Sequence, residues 1–145
     1  MAVKRFLLDI NVWIALLDDD HPHNKQAQNW FAQHQPIATC PLTENGVMRI
    51  INAPGYSRLG WIGFDIVRNK LAEICADSDH QFWPDNISLV RDDVLDYTRL
   101  SGHNQLTDAY LLALAVQHNG ALVTFDQRIG LAAVHGATAE HLFVL

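Results

Sequence analysis

The chain has 145 residues, of which 49% are hydrophobic and 18% charged, and its formal net charge is −6. This length and composition suit one folded domain spanning residues 1–145 and exclude a disordered protein. The longest uncharged apolar run, at 109–116, is far shorter than the roughly 20 residues of a membrane span, so we expect a cytoplasmic protein with no membrane partner. The negative charge disfavours nonspecific nucleic-acid binding but leaves a nuclease possible, because bound divalent cations reverse the local sign.

Short apolar runs alternate with helical patterns along the chain, which predicts βαβ units around a parallel sheet and therefore an α/β fold. In the first half we predict strands at 5–9 and 36–40, and helices at 11–19, 21–35 and 44–52. Pro41 is expected to break the chain after the second strand, with Thr43 as the N-cap of the next helix. Pro54 and Gly55 are expected to end that helix.

The second half continues the alternation to a C-terminal strand. We predict helices at 60–78, 92–100 and 107–120, and strands at 81–84, 121–126 and 141–145. One face of the first of these helices carries four apolar residues at helical spacing, which are Phe64, Val67, Leu71 and Ile74. For the helix over 107–120, Thr107 is the expected N-cap and Gly120 the expected C′ residue.

Several other side chains have ordinary structural interpretations. Cys40 and Cys75 lie in apolar stretches, which indicates buried free thiols of a reducing compartment. The four tryptophans are expected in the core or at an interface, and the acidic segment at 18–23 is expected to be a solvated, helix-capping loop. Arg49 and His103 lie near the acidic positions described next and could reach a substrate, but the favoured explanations are a surface ion pair for Arg49 and a loop histidine without a role for His103.

Four acidic residues fall at or beyond the predicted strand ends, where an open parallel sheet binds its ligands. Asp9 and Asp126 close the first and fourth strands, and Glu44 and Asp108 lie where helices begin. The helix that starts near Asp108 runs antiparallel to the strand that ends at Asp126, so their outer ends should meet. Each acid alone could serve a helix N-terminus. Together they form the oxygen-rich cluster that Mg²⁺ or Mn²⁺ requires.

Four blocks surround these acids, and they read LLDINVWIALL at 7–17, ATCPLTENGVMRII at 38–51, LTDAYLLALA at 106–115 and LVTFD at 122–126. This combination resembles the PIN-domain nucleases and, within them, the VapC-type toxins of bacterial toxin–antitoxin pairs. The resemblance assigns the metal-binding and catalytic acids to Asp9, Glu44, Asp108 and Asp126, with Asn11 and Thr124 as supporting polar residues. Asp126 falls on the most variable of the four acidic positions.

The resemblance also implies a fold and an activity. The expected fold is a three-layer α/β/α sandwich with a central parallel sheet of about five strands. The expected activity is a Mg²⁺- or Mn²⁺-dependent endoribonuclease, which would act as a homodimer and be inhibited by a cognate antitoxin protein. Single-stranded or loop RNA is the favoured substrate, because duplex RNA hides its bases.

Two alternatives remain open at this point. Asp9-Ile10-Asn11 is similar to the D-x-D motif of haloacid-dehalogenase-like phosphatases, in which the first Asp is the nucleophile. Those enzymes also need a late lysine, and this chain has no lysine after Lys70. The second alternative is a catalytically inactive PIN-like module that binds or regulates, although four intact acids argue against it.

Overall fold

A parallel five-stranded sheet forms the centre of the structure, a computed structural model that describes residues 3–56 and 62–145. Its strands are β1 (Phe6–Leu8), β2 (Ile37–Thr39), β3 (His80–Phe82), β4 (Ala121–Thr124) and β5 (Leu142–Val144). They lie in the order β3-β2-β1-β4-β5, and each neighbouring pair is parallel. β1 and β4 are therefore adjacent near the centre of the sheet, and the residues that follow them leave the same edge.

Helices cover both faces of this sheet. They are α1 (Ile10–Leu17), α2 (Asn24–Phe31), α3 (Pro41–Ile51), α4 (Phe64–Ala76) and α5 (Gln105–Gln117). Alternate strand residues face opposite sides: Leu7 and Leu122 pack in one buried cluster with α5, whereas Leu8 and Val123 pack in another with α1 to α4. The expected three-layer α/β/α sandwich is confirmed.

The start of α3 differs from the sequence-based prediction. The helix begins at Pro41, with Cys40 as its N-cap, so Pro41 does not break the chain. Proline is tolerated at the first helical position because the N–H it lacks would have no partner there. Thr43 is not the N-cap. It lies in the first turn of the helix, and its hydroxyl accepts a hydrogen bond from the Cys40 N–H at 3.1 Å. The helix ends at Ile51, before Pro54 and Gly55 as expected.

The start of α5 also lies earlier than predicted. Its first residue is Gln105 and its N-cap position is Asn104, so Thr107 sits within the first turn and is not the N-cap. The Gln105 side-chain oxygen accepts from the backbone N–H groups of Ser101 at 2.7 Å and Gly102 at 3.3 Å. These bonds fold the preceding turn onto the helix, so the helix can begin without a side-chain N-cap bond.

The end of α5 explains the glycine that follows it. Gly120 is not the left-handed residue; Asn119 takes that role with φ 52°. A Cβ at position 120 would lie 2.4 Å from the Arg5 carbonyl oxygen and 2.9 Å from the Trp83 ring. Glycine is therefore required there because β1 and the Trp83 ring approach the backbone closely, not because of its φ.

The helix predicted over 92–100 is wrong. The structure has only a 3₁₀ turn at Tyr97–Arg99, and Leu95 forms an antiparallel bridge with Val134. Leu95 is 2% exposed, so its burial against the core fixes an extended backbone at this point. Tertiary packing here overrides the local helical pattern.

Most of the remaining side chains predicted to be buried lie in the core. On α4, Val67 and Leu71 are buried and Ile74 is partly buried, whereas Phe64, the first residue of the helix, is 50% exposed. Both cysteines are free thiols; Cys40 is buried and Cys75 partly buried. The tryptophans at 13, 30 and 83 are core residues, and position 61 lies outside the described residues. No helix in the described part of the chain combines the length and apolar character needed to cross a membrane.

Candidate active site

Asp9 lies at the junction of β1 and α1 and is 5% exposed. One carboxylate oxygen, Oδ1, accepts from the Ile10 N–H at 2.7 Å, and the other, Oδ2, accepts from the Thr124 hydroxyl at 2.9 Å. Asp9 is thus the N-cap of α1, which is the helix-capping role that the sequence also allowed for it. Burial nevertheless raises the pKa of this carboxyl above its usual range, and these two hydrogen bonds only partly oppose that effect.

Asp108 and Asp126 face the same region as Asp9. Burial, followed by the charges of Asp9 and Asp126, raises the pKa of Asp108 to about 6. Asp126 follows β4, and its N–H donates to the Thr124 hydroxyl at 3.1 Å. Its carboxylate accepts from the Arg128 N–H at 2.8 Å and the Arg128 Nε at 3.3 Å. The expectation that the outer ends of α5 and β4 meet at one edge is confirmed.

Glu44 is placed differently from these three acids. It lies in the first turn of α3, and its Oε2 accepts from the buried Thr39 hydroxyl at 2.7 Å. After burial, the Glu44 charge is the second influence that raises the pKa of Cys75, on α4, to about 11. The charge also acts on His80, on β3, where burial lowers the pKa of the imidazole and Glu44 opposes that change. The Glu44 carboxylate therefore points toward β2, β3 and α4.

The predicted convergence of acids is thus observed at Asp9, Asp108 and Asp126. Glu44 does not join them: its carboxylate is bonded to Thr39, and it neither lines the cavity with Asp108 nor contributes to the raised pKa of Asp9 or Asp108. In the described ranges, no three His, Cys, Asp or Glu side chains are close enough together to hold one metal ion. The donor chemistry still fits a hard divalent cation, because all four side chains offer carboxylate oxygens. The pKa of Asp108 is raised by burial and then by the negative charges of Asp9 and Asp126. A bound cation would offset the repulsion among these three carboxylates.

A cavity of about 540 Å³ opens beside the converging acids. Asp108 and Asp126 line it, as do Asn11 at the start of α1 and two arginines, Arg99 and Arg128. The sequence-based reading missed both arginines. Arg128 could have been predicted to lie near the site, because it follows Asp126 by two residues. Arg99 could not, because the sequence pattern places it in a helix that does not form.

The other candidates from the sequence lie outside this cavity. Arg49 is exposed on α3 and forms no ion pair with any described residue, so the expected surface pair is not observed. His103 is exposed in the turn before α5. In the segment 18–23, Asp18 ends α1 and accepts from the Tyr56 hydroxyl at 2.7 Å, which supports its structural interpretation. A larger cavity of about 670 Å³ adjoins that segment on the α1–α4 side, away from the converging acids.

Proteins of known family resemble this chain over most of its length. The chain matches the PIN domain family over residues 6–135. Ribonuclease VapC44 of Mycobacterium tuberculosis is 43% identical over 143 residues, which are 97% of this chain and 99% of that protein. Ribonuclease VapC29 of the same organism is 38% identical over 134 residues, which are 92% of each chain.

Solved structures show the same fold at low sequence identity. Mycobacterium tuberculosis VapC20, described as a toxin that cleaves the sarcin–ricin loop, has a TM-score of 0.58 and 15% identity, and the match covers 91% of this chain and 98% of that one. VapBC2 from Rickettsia felis, bound to a DNA fragment from its promoter, has a TM-score of 0.52 and 13% identity, covering 86% and 89%. On the family match and the close relatives, this chain belongs to the PIN-domain family and, within it, to the VapC ribonucleases.

Proposed function

We propose that this chain is a Mg²⁺- or Mn²⁺-dependent endoribonuclease toxin that hydrolyses phosphodiester bonds of single-stranded or loop RNA. The observation that carries the proposal is the convergence of Asp9, Asp108 and Asp126 beside an open cavity at one edge of the sheet. The ribonuclease names of the close relatives support the reaction. The loop RNA named for VapC20 supports the substrate class.

In this proposal, four acids would hold the cation, either directly or through water molecules that the ion keeps, and Asn11 and Thr124 would support them. The four are Asp9, Glu44, Asp108 and Asp126. When bound, a divalent ion would lower the pKa of a water molecule and would neutralise negative charge at the phosphate. The Thr124 hydroxyl donates to Asp9 Oδ2 and accepts from the Asp126 N–H, so one buried side chain fixes the relative positions of two acidic segments. The Ile10 N–H orients the other oxygen of Asp9.

The direct test is RNA cleavage by the purified protein. We expect labelled single-stranded RNA to be cut in millimolar Mg²⁺ or Mn²⁺ and to remain intact in EDTA. Cleavage that persists in EDTA would reject the metal-dependent mechanism. Binding of RNA without any cleavage in Mg²⁺ would instead favour the inactive binding module.

Thr39 provides a test of the place assigned to Glu44. Its hydroxyl has one proton, which it donates to Glu44 Oε2, so it must accept from His80 Nε2, also at 2.7 Å. The three side chains thus form one chain of hydrogen bonds that fixes the carboxylate. Thr39→Val should raise the Mg²⁺ concentration for half-maximal cleavage by about tenfold, the lower end of the usual cost of removing an outer partner of a metal ligand.

The control for this prediction is Thr39→Ser, which keeps the hydroxyl and should keep the Mg²⁺ midpoint. A purely structural role for Thr39 would lower thermal stability without moving that midpoint. A lower midpoint for Thr39→Val would contradict the prediction and show that the Thr39 bond holds Glu44 away from the cation.

We further propose that the protein is a homodimer whose partner is a cognate antitoxin. The VapBC2 structure, in which a related fold occurs with a partner protein, supports such a complex. Because Asp9, Asp108 and Asp126 concentrate negative charge, a cationic side chain of the antitoxin, most suitably Arg, should pair with them and compete with the metal. Co-purification with the product of the adjacent upstream gene, followed by measurement of the complex mass, tests both proposals. Failure to form a complex at micromolar concentrations would count against the partner.

A further inference from the structure

The cavity beside the acids carries features that the cleavage chemistry does not use. It has two arginines at its edge and an apolar floor, and its volume is about 540 Å³. We propose that it is a nucleotide subsite in which Arg99 and Arg128 bind the phosphodiester next to the one that is cut, while the floor receives one unstacked base. This inference rests on the proposed ribonuclease function, since it names how the same site holds single-stranded RNA.

Each of the two arginines is held by an aspartate through its Nε atom. The Nε of Arg128 lies 3.3 Å from Asp126 Oδ1, and the Nε of Arg99 lies 3.3 Å from Asp96 Oδ2. Their side chains are 90% and 61% exposed, and among the described residues their terminal amino groups have no hydrogen-bond partner. Each guanidinium is thus oriented at one end and has free donors at the other. A planar pair of donors is the arrangement that binds a phosphate through two parallel hydrogen bonds.

The apolar floor suits a nucleobase. Leu100 and Ile129 contribute to it, together with buried alanines of α5 and of the 3₁₀ turn at Leu131–Ala133. The Gln105 side-chain oxygen is already bonded to the backbone of the preceding turn, so its amide nitrogen is the end left for a base edge. The volume lies within the range of about 300–1,000 Å³ typical of small-ligand sites. A base can enter only when unpaired, which selects single strands and loops.

Charge also argues for a phosphate at this place. Asp108 and Asp126 alone would repel RNA, so the site needs positive charge next to them. Arg128 lines the same cavity as Asp108, and its Nε lies 3.3 Å from Asp126 Oδ1, which places the guanidinium beside the converging acids. An alternative is that both arginines serve only as surface ion pairs, but exposed pairs contribute little to stability. Substitution therefore should change RNA affinity far more than folding.

The experiment compares Arg128→Gln and Arg99→Gln with Arg91→Gln. Arg91 is the matched control: it is 66% exposed, pairs with Asp93 at 2.7 Å and does not line the cavity. Binding of a fluorescent single-stranded RNA is measured by anisotropy in EDTA, where the proposed cleavage stops. Each cavity variant should weaken binding by about tenfold, the value of one hydrogen-bonded charge contact. Each should also lower the salt slope by about 0.7 per lost phosphate contact.

Each result decides between the proposals. Equal affinity and salt slope for the cavity variants and Arg91→Gln would overturn the subsite, as would failure of the unaltered protein to bind RNA. Equal binding of single-stranded RNA and a duplex of the same sequence would overturn the base pocket. Binding that depends on both arginines, without cleavage in Mg²⁺, would keep the subsite and reject the ribonuclease function. Unchanged melting temperatures of the variants confirm that they are folded.

Discussion

Asp9→Asn should lower the rate of RNA cleavage in Mg²⁺ by more than about 100-fold, because loss of even an outer partner of a metal site costs 10–100-fold. Asparagine keeps the shape of the side chain and a carbonyl oxygen for the Ile10 N–H, so the start of α1 is preserved. What is lost is one negative charge and one anionic oxygen, and these are what a hard divalent cation requires. The measurement is single-turnover cleavage of a labelled RNA over a range of Mg²⁺ concentrations.

A matched control lies at the other end of the same helix. Asp18 ends α1, and like Asp9 it accepts from a hydroxyl, that of Tyr56 at 2.7 Å, and from a backbone N–H, that of Asp20 at 3.0 Å. Asp18→Asn therefore removes the same charge from a carboxylate with the same kinds of hydrogen-bond partner. Asp18 is less buried than Asp9 and lies away from Asp108 and Asp126, so this variant should leave cleavage unchanged. Full activity of Asp9→Asn would contradict the metal-dependent mechanism. Equal losses in both variants would point to damage of α1 instead.

The fold was predictable because burial repeats along the sequence with the periods of strands and helices. Leu7 and Leu8 face opposite sides of β1, and both faces are apolar, as expected for a strand covered by helices on each side. The alternation of such strands with helical segments leaves few arrangements other than a parallel sheet. The three acids that converge were predictable for the same reason, since Asp9 and Asp126 end adjacent parallel strands.

What could not be predicted depends on contacts between distant segments. The orientation of Glu44 is set by Thr39, five residues before it, and by His80 on a different strand. The glycine at 120 is explained by Arg5 and Trp83, neither of which is near it in the sequence. Leu95 is extended because it pairs with Val134. In each case at least one of the deciding partners is more than 30 residues away in the sequence, and local patterns do not contain it.

Asp108→Asn should stabilise the protein in EDTA near pH 7. Burial and the charges of Asp9 and Asp126 raise the pKa of Asp108 to about 6, against about 4 in an unfolded chain. The folded state therefore binds this proton more tightly, and the contribution of Asp108 to stability falls as pH rises from about 4 to about 6. At pH 7 the full penalty is present, and an uncharged side chain removes it.

The size of this effect is limited by solvent. Asp108 is only partly buried, so screening reduces the penalty, and we expect a gain of about 1 kcal/mol. For a chain of this length that gain corresponds to a rise of about 2–4 °C in melting temperature. At pH 4, where the folded carboxyl is protonated, the difference between the two proteins should largely disappear.

Asp65→Asn is the control, because Asp65 is an exposed acid in the first turn of α4, as Asp108 is in α5. That variant loses only the favourable interaction with the helix dipole, about 0.3–1 kcal/mol, and should melt lower than the unaltered protein. If Asp108→Asn also melts lower in EDTA, its carboxylate acts mainly on its own helix, and the repulsion among the acids is too small to matter.

Millimolar Mg²⁺ should reverse the order of stability between Asp108→Asn and the unaltered protein. A ligand that binds only the folded state stabilises it by RT ln(1 + [L]/Kd), which is about 2.7 kcal/mol at 100 times Kd. Asp108→Asn lacks one of the proposed ligands and should gain much less. The same three carboxylates thus destabilise the fold without the cation and stabilise it with the cation, which is the thermodynamic property of a site built for binding. If Mg²⁺ leaves the melting temperature of the unaltered protein unchanged, these acids do not form a Mg²⁺ site, and the cleavage mechanism proposed for them fails.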